Sequence, residues 1–258
     1  MPDVPVGDWA GTWEKRCGWL SSPFRSETMM GRIPPRLLRR ARAGYYGHVT
    51  HIDLQIHRIL EALGGYQVAA NTVVCFTSDH GEMLGDHHLF RKCFPYEGSA
   101  RVPMILKGPA RLGLQRGGAV GAPVELRDVM PTLLDCAGLP IPESVEGRSF
   151  LPLARGEKCD WRSHLHGEHA LFNQSLHYVT DGHEKYIWLS GDGHEQLFDL
   201  DTDPHELRDL APERPQRVAH WRQVLIEELT GREEGFTDGQ RLITGRPVQA
   251  TLAHVRES

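Results

Sequence analysis

Residues 71–82 have the sequence NTVVCFTSDHGE, and this stretch decides the fold class that the chain is predicted to adopt. Its first eight residues are a short, mostly apolar and β-branched run without alternation, which predicts a strand buried on both faces, as in a parallel sheet. The run ends at Asp79 and His80, followed by a glycine. Because open α/β sheets bind ligands beyond the carboxyl ends of their strands, we predict a functional site at Asp79 and His80.

The segments around this strand predict an α/β sandwich with a mainly parallel sheet. Upstream, apolar residues recur at helical spacing over residues 35–63 and stop at Gly64-Gly65, which is typical of a long amphipathic helix. Downstream, a polar loop leads to a second apolar run at residues 102–106, and residues 124–137 are predicted to form a short helix. Helix, buried strand, loop and strand in succession indicate this layered architecture.

The chain changes character after about residue 155. Short alternating runs at residues 177–180, 185–189 and 195–200 are separated by glycine-containing turns, which predicts an antiparallel sheet. Residues 214–229 are predicted to form a helix. We therefore predict two domains. Residues 1–155 form part of an α/β domain, with 1–35 as an irregular connector, and residues 156–258 form a small α+β subdomain.

Composition narrows the classes of function. A formal net charge of −5 provides no basic surface for nucleic acid. No apolar run approaches the roughly 20 residues that a membrane-spanning helix needs. The five cysteines form no C-x-x-C pair, so a finger-type zinc site is not expected. The first ten residues lack the regions of a signal peptide, which indicates the cytoplasm if Met1 is the natural start.

Asp79 and His80 are the residues that could bind a metal at the end of the predicted strand. A carboxylate oxygen and an imidazole nitrogen are both usable ligands for a divalent cation. The plainer alternative is that Asp79-His80-Gly81 is a turn in which the aspartate bonds to nearby backbone. Taken alone, the tripeptide does not separate the two interpretations.

A longer string around these residues resembles a known family. Residues 77–92 have the sequence TSDHGEMLGDHHLFRK, and residues 96–103 have the sequence YEGSARVP. Together they resemble the segment that sulfatases carry in the second half of their catalytic domain, in which a T-S-D-H/N-G strand end precedes a lysine and a Y-E-x-x-x-R-V-P element. Residues 39–60 are similar to the family helix before this strand, and residues 180–188 and 196–204 to its carboxy-terminal subdomain.

The resemblance implies an alkaline-phosphatase-like fold and the hydrolysis of small-molecule sulfate esters. By position, Asp79 and His80 are expected to bind a divalent metal, most often calcium in this family. Lys92 is expected to be a catalytic and substrate-binding residue that contacts the sulfate. A cation and an ammonium group together neutralise a transferring sulfuryl group and stabilise the charge of its transition state. His80 stands where many relatives have asparagine, which widens the choice towards transition metals.

The family's nucleophile is not found in this chain. Sulfatases oxidise the first residue of a C/S-x-P-x-R motif to formylglycine and take two further metal ligands from an Asp-Asp pair. None of the five cysteines begins such a motif. Ser21, with Pro23 and Arg25, fits the pattern formally, but no acidic pair precedes it, and the family motif lies far upstream of the long helix. We therefore predict a chance match and an incomplete, inactive chain, with a missing amino-terminal segment or an oligomer supplying the rest.

Three further groups contain closely spaced histidines: His48, His51 and Asp53; His87 and His88; and His164, His166 and His169. The first group is predicted to be the polar surface of a helix, since i,i+3 spacing places its histidines on one face. In the second, one histidine could line the sulfate pocket. The third has a spacing that could chelate a metal, but a surface loop or the wall of a cleft is the favoured prediction.

Three functions follow from these observations. The first is part of an arylsulfatase-like sulfuric ester hydrolase. The second is a phosphonate monoester or phosphodiester hydrolase of the same superfamily, since D-H-G-E sites also occur there. The third is a non-catalytic protein that binds metal or sulfated ligands.

Overall fold

A computed structural model describes residues 6–16, 29–171 and 174–248. The serine motif at residues 21–25 and Cys17 therefore lie outside the described residues. The helices are α1 (Ala10–Glu14), α2 (Pro35–Gly65), α3 (Glu97–Ala100), α4 (Val129–Ala137), α5 (Leu151–Arg155) and α6 (Pro215–Leu229). The strands are β1 (Val74–Thr77), β2 (Met104–Lys107), β3 (Leu165–Leu171), β4 (Gln174–Thr180), β5 (Glu184–Leu189) and β6 (Glu195–Asp199).

These elements belong to two units. The first unit contains Ile33–Asp79 and Val102–Ser163, and so includes α2, α4, α5, β1 and β2. The second unit contains His80–Arg101 and the described parts of residues 2–32 and 164–258. The segment after Asp79 thus folds with the later part of the chain. The domain boundary near residue 155 stays a prediction.

The strand pair of the first unit differs from the predicted parallel sheet. β1 pairs antiparallel with β2, with Val74 opposite Lys107 and Thr77 opposite Met104. β2 begins two residues later than predicted, after Pro103, which has no backbone N–H to donate to a ladder. The strand is also less buried than predicted, since Phe76 is 39% exposed. A run of apolar residues predicts a buried strand, but the direction and number of its neighbours depend on residues distant in sequence.

The long helix is confirmed as α2, with Pro35 in its first turn and Gly64-Gly65 at its end. Proline suits the first turn because the missing N–H would have no partner inside the helix. Although α2 has 31 residues, no helix of the described chain is long and apolar enough to cross a membrane. Most of its apolar side chains are exposed: Leu37, Tyr45, Tyr46, Val49, Ile52, Leu54, Ile59 and Leu60.

This exposed apolar surface of α2 leads us to expect that the isolated chain associates. Ile52 and Ile59 are 53% and 61% exposed, and apolar patches of this kind mark interaction or aggregation surfaces. Light scattering after size-exclusion chromatography should show a mass that rises with protein concentration. The double change Ile52→Gln and Ile59→Gln should reduce the association, whereas His51→Gln, at an exposed polar position of α2, should not. A monodisperse monomer at all concentrations would contradict this prediction.

The second unit is built on a four-stranded antiparallel sheet in the order β3-β4-β5-β6. The turn between β4 and β5 contains Asp181, whose Oδ1 accepts hydrogen bonds from the N–H groups of His183 and Glu184, both at 2.8 Å. Gly182 adopts a φ of +91°, a conformation that glycine tolerates without steric cost. The predicted meander and its turns are confirmed, and α6 confirms the predicted helix.

Strand β3 corrects the prediction of a surface loop at residues 164–169. The segment lacks the apolar alternation of a strand, yet it pairs with β4 along its full length, from Leu165 opposite Thr180 to Leu171 opposite Gln174. β3 is an edge strand with three exposed residues at 168–170, so packing places little demand on its sequence. Hydropathy alternation therefore did not reveal β3, because this strand is formed by pairing with β4 and not by burial of one face.

Each face of this sheet is covered by different parts of the chain. One face, which includes Trp188 and Leu197, packs against α6 through Trp221 and Leu225. The opposite face, which includes Leu176, Ile187 and Phe198, packs against α1 and against four buried side chains of residues 80–101: Met83, Leu89, Phe94 and Tyr96. Burial of each such side chain contributes roughly 1.5–3 kcal/mol, so the segment after Asp79 is held firmly on the sheet.

Candidate metal and substrate site

Asp79 lies two residues after the end of β1 and is exposed. The hydroxyl of Ser78 lies 3.4 Å from Asp79 Oδ1, within reach of a weak hydrogen bond. An exposed carboxylate therefore lies just beyond the carboxyl end of the strand. An exposed carboxylate of this kind can serve as a hard oxygen ligand for a divalent cation.

The contact that His80 makes with Gly81 determines which of its ring nitrogens can bind a metal. Nδ1 lies 2.8 Å from the carbonyl oxygen of Gly81. Because a carbonyl only accepts hydrogen bonds, Nδ1 carries the proton, and the lone pair of the neutral ring resides on Nε2. A backbone carbonyl that orients an imidazole in this way is the usual second partner of a metal-binding histidine. With this orientation, Nε2 is the nitrogen through which His80 would bind a metal.

Gly81 holds the backbone of this segment close to α3. Its N–H donates to the carbonyl of Ser99 at 2.8 Å. A Cβ atom at position 81 would lie 2.2 Å from the carbonyl oxygen of Gly98, so no larger residue fits there without moving the backbone. The glycine after the two expected ligands is therefore required by a close approach of two backbone segments.

The loop between His80 and Lys92 contains an unusual concentration of left-handed backbone. Four of its residues other than glycine have positive φ, namely Leu84, His87, His88 and Arg91, and Cys93, just after Lys92, has positive φ as well. Conformations of this kind cost roughly 1–3 kcal/mol each and cluster at functional sites. Glu82 Oε1 offsets part of the cost by accepting hydrogen bonds from the N–H groups of Leu84 and Arg91.

Backbone hydrogen bonds to residues 29–31 fix the same loop from outside. The N–H of Gly31 donates to His88 O at 2.9 Å, and the N–H of Phe90 donates to Met29 O at 2.8 Å. Leu89, between them, is fully buried. Lys92 lies immediately after this hydrogen-bonded loop, is exposed, and makes no ion pair with any other described residue. Its ammonium group is thus available to an anion.

A buried charge cluster anchors the YEGSAR element. Lys185, which is 1% exposed, lies 2.7 Å from Glu97 Oε1 and 2.9 Å from Glu206 Oε1. The other oxygen of Glu206 accepts a hydrogen bond from the N–H of Glu97 at 2.7 Å. Burial lowers the pKa of Lys185, but the two carboxylates outweigh it and leave that pKa raised, so the ammonium stays charged. This cluster fixes α3 to the sheet, and the loop that carries Lys92 precedes α3.

The sequence suggested that either His87 or His88 could line a sulfate pocket. His87 does not, because its side chain is buried. Its side chain is 2% exposed and packs against Trp9 and Tyr96, with ring centroids 6.1 and 5.0 Å away. A Cβ atom on Gly7 would lie 2.1 Å from His87 Nδ1. The left-handed backbone turns this side chain into the core of the second unit, which sequence spacing could not reveal.

The burial of His87 predicts a loss of stability in mild acid. Burial lowers its pKa from 6.5 to about 4. Between these values the unfolded chain binds a proton that the folded chain does not, so the contribution is complete above pH 6.5 and declines as the pH falls towards 4. From pH 7.5 to pH 5 the free energy of unfolding should fall by about 2 kcal/mol on account of this residue.

Urea unfolding followed by tryptophan fluorescence at both pH values measures this effect. His87→Asn, which tolerates the left-handed backbone, should reduce the pH dependence by that amount. The matched change His51→Asn, at an exposed histidine of α2, should leave it unchanged. An unaltered pH dependence in His87→Asn would contradict the assignment.

The histidines of the other two groups lie in different surroundings in the structure. His48, His51 and Asp53 are exposed on α2, in keeping with a polar helix surface. His164 Nε2 lies 3.0 Å from Glu228 Oε1, His166 faces His177, and His169 lies on the opposite face of the sheet from His166. The three histidines of 164–169 therefore do not converge, and the residue that His166 meets, His177, was missed. Only the strand register could have indicated it.

Two family models and a curated relative match this chain. Residues 10–139 match the family model described as "Sulfatase". The chain belongs to the sulfatase family. Residues 85–233 of this sulfatase chain also match the model described as "N-sulphoglucosamine sulphohydrolase, C-terminal". An arylsulfatase of Clostridium perfringens is 46% identical over 99% of this chain and 53% of its own length. The family prediction is thereby confirmed.

Solved structures place the sulfatase chain in the alkaline-phosphatase-like fold class, as predicted. A phosphonate monoester hydrolase from Silicibacter pomeroyi superposes with a TM-score of 0.73 at 26% identity, covering 96% of this chain and 55% of that one. The protein BT4656, solved with its substrate D-glucosamine-2-N,6-O-disulfate, superposes with a TM-score of 0.61 at 26% identity, covering 70% and 38%. The chain thus spans about half, or less, of the length of these relatives.

Proposed function

We propose that this chain is the carboxy-terminal part of a sulfuric ester hydrolase. In the proposal, Asp79 and His80 contribute two ligands to a divalent metal, and Lys92 contacts the sulfate of the substrate. The observation that carries it is the contact of His80 Nδ1 with Gly81 O at 2.8 Å, which orients the ring so that Nε2 would be the nitrogen that binds the metal. The exposed carboxylate of Asp79 and the exposed ammonium of Lys92 support the same assignment.

The donor set fits a divalent cation, and calcium is the proposed ion. A carboxylate at Asp79 suits a hard cation, whereas an imidazole at His80 is also accepted by transition metals. When bound, such a cation would act as a Lewis acid on an ester oxygen. Two ligands are fewer than the six to eight that calcium takes, so the proposal requires further ligands from elsewhere.

Lys92 is proposed to bind the substrate and to stabilise charge in the transition state. Its loop is held by hydrogen bonds to Glu82 and to residues 29–31, which would help to position the lysine. The substrate class is a small-molecule sulfate ester. A related structure with bound D-glucosamine-2-N,6-O-disulfate supports sulfated sugars within that class.

We further propose that the chain does not turn over substrate by itself, because it contains no cysteine in a C-x-P-x-R motif. The isolated chain should release no nitrophenol from an aryl sulfate above background, while the arylsulfatase of Clostridium perfringens serves as the positive control. Turnover that Ser21→Ala abolishes would show that Ser21 is the formylglycine precursor and would overturn the proposal. The DNA upstream of Met1 provides a second test, in which an in-frame C-x-P-x-R codon series is the expected result.

Calorimetry with calcium tests the metal ligands directly. The chain should bind calcium weakly, and Asp79→Ala should abolish the binding because it removes the only charged ligand of the pair. Asp86→Ala, at another aspartate of the same loop region, serves as the matched control and should retain binding. If the unaltered chain binds no calcium, the two ligands are insufficient, and a non-catalytic calcium-binding role for the isolated chain is excluded.

Phosphonate monoester or phosphodiester hydrolysis is the second candidate activity. The observation that favours it is the similarity to the Silicibacter pomeroyi phosphonate monoester hydrolase over 96% of the chain. A full-length product that contains this segment should be assayed on an aryl sulfate and on an aryl phosphonate under the same conditions. A higher kcat/KM for the phosphonate would favour the second candidate over the first.

A further inference from the structure

The pairing of β3 with β4 brings three metal-binding side chains onto one face of the sheet. Glu168 lies directly opposite His177 in the register, and His166 precedes Glu168 by two residues on the same strand. Side chains alternate between faces along a strand, and directly opposed residues share a face. His166, Glu168 and His177 therefore project from the same side of the sheet.

The separations of their ligand atoms suit one cation. His166 Nε2 lies 3.1 Å from His177 Nδ1, and Glu168 Oε2 lies 3.6 Å from the same Nδ1. All three atoms lie within 4.8 Å of one another. Two nitrogens that bind zinc at the usual bond length in a tetrahedral site lie about 3.3 Å apart. A small movement of the Glu168 side chain, which is 42% exposed, would complete the arrangement.

Glu168 is oriented by a neighbour, as metal-binding carboxylates usually are. Arg232 Nη2 donates to Glu168 Oε1 at 2.8 Å and to Glu234 Oε1 at 2.6 Å. The arginine thus occupies one oxygen of Glu168, and the other oxygen is the one nearer to His177. The guanidinium of Arg232 is thus shared between the carboxylates of Glu168 and Glu234.

His177 is held in a fixed position and in its neutral form. Its ring is 1% exposed and stacks on His166 with centroids 5.3 Å apart at 11°. Trp188 and Phe236 pack against it with centroids at 5.6 and 5.3 Å. Burial lowers the pKa of His177 well below its usual value, and His166 and Arg232 act in the same direction. Neutral imidazole is the form that binds metals.

We propose that His166, Glu168 and His177 form a second metal site, which binds a divalent transition-metal ion of the zinc class. Two imidazoles and one carboxylate match the ligand preference of zinc rather than that of calcium, which takes oxygen ligands. Three protein ligands of this kind leave a fourth position for water. The site uses none of the residues assigned to the sulfate ester chemistry, so it stands or fails independently of that function.

Zinc titration of the full chain tests the proposal. The protein is stripped of metal and titrated with zinc chloride against a chromophoric chelator, and cobalt(II) then reports the coordination geometry by its visible absorption. We expect one zinc per chain that His166→Gln and Glu168→Gln each weaken by about 100-fold or more, since even outer partners of a metal ligand are worth 10–100-fold. Cobalt should give the intense bands of a four-coordinate site.

Three matched variants separate this site from other zinc-binding groups. His169→Gln, on the same strand but the opposite face, and His164→Gln, which removes the contact with Glu228, should both retain the zinc affinity. Asp79→Ala should retain it as well. Absence of zinc binding, or zinc binding that neither His166→Gln nor Glu168→Gln weakens, would overturn the proposal and leave His166 and His177 as a hydrogen-bonded pair only.

Discussion

Lys185→Met should lower the free energy of unfolding of the second unit by about 3–5 kcal/mol, because it removes one partner of a buried ion pair. The ammonium lies 2.7 and 2.9 Å from the carboxylates of Glu97 and Glu206. Glu206 is 1% exposed, so without Lys185 its charge would remain in the protein interior without compensation. Methionine fills a similar volume, so the loss reports on charge rather than on packing.

Urea unfolding at pH 7.5, followed by tryptophan fluorescence, measures this effect in the second unit. Trp13, Trp188 and Trp221 are buried there and report its unfolding. Lys15→Met, at an exposed lysine of the same unit, should change the free energy by less than about 0.5 kcal/mol.

The double variant Lys185→Met/Glu206→Gln separates the charge from the loss of the side chain. Replacing both partners removes the uncompensated carboxylate and should recover part of the stability. Amide hydrogen exchange at Glu97 should accelerate in the single variant, since its N–H donates to Glu206 Oε2. A single variant within about 1 kcal/mol of the unaltered chain would contradict the role of the cluster.

Gly81→Ala should be the second severe change, with a loss of about 3 kcal/mol or more. A Cβ atom at this position would lie 2.2 Å from the carbonyl oxygen of Gly98 and 3.2 Å from that of Ser99. Both neighbours are backbone atoms, so no side-chain rotation relieves the overlap. The backbone must separate, and the hydrogen bond from Gly81 N to Ser99 O is then lost.

The same change should weaken metal binding at the proposed Asp79 and His80 site, because the carbonyl of Gly81 orients the ring of His80. The urea midpoint and the calcium affinity are the two measurements. Gly44→Ala is the matched control, since a Cβ atom there has no neighbour within 4 Å and α2 is a regular helix at that point. It should raise stability by about 0.5–1 kcal/mol. An unfolding midpoint of Gly81→Ala equal to that of the unaltered chain would refute the close approach.

Local patterns in the sequence were sufficient for much of the second unit. Periodicity and turn residues indicated β4, β5, β6 and α6, because each is defined by neighbours within a few positions. The family assignment also came from contiguous motifs, in which Asp79, His80 and Lys92 stand at recognisable spacings. The metal and substrate roles of these residues remain proposals, since no local pattern tests them.

The pairing of strands that are distant in sequence could not be predicted from local patterns. The apolar run of β1 predicted a buried parallel strand, whereas β1 pairs antiparallel with β2 and leaves Phe76 partly exposed. β3 lacked any alternation and was not recognised as a strand. In both cases the strand is determined by the strand that pairs with it. The free energy of that pairing comes from contacts between residues far apart in sequence.

The sequence alone was sufficient to determine the family and the order of most elements, and it showed that Asp79 and His80 follow the first strand. The tertiary structure decides that Gly81 lies against Gly98, that Lys185 neutralises Glu97 and Glu206, and that a histidine of β3 meets one of β4. The physical reason is the sequence separation over which each interaction acts. Backbone preferences act over a few residues, whereas register, burial and charge pairing are decided only when distant segments pack together.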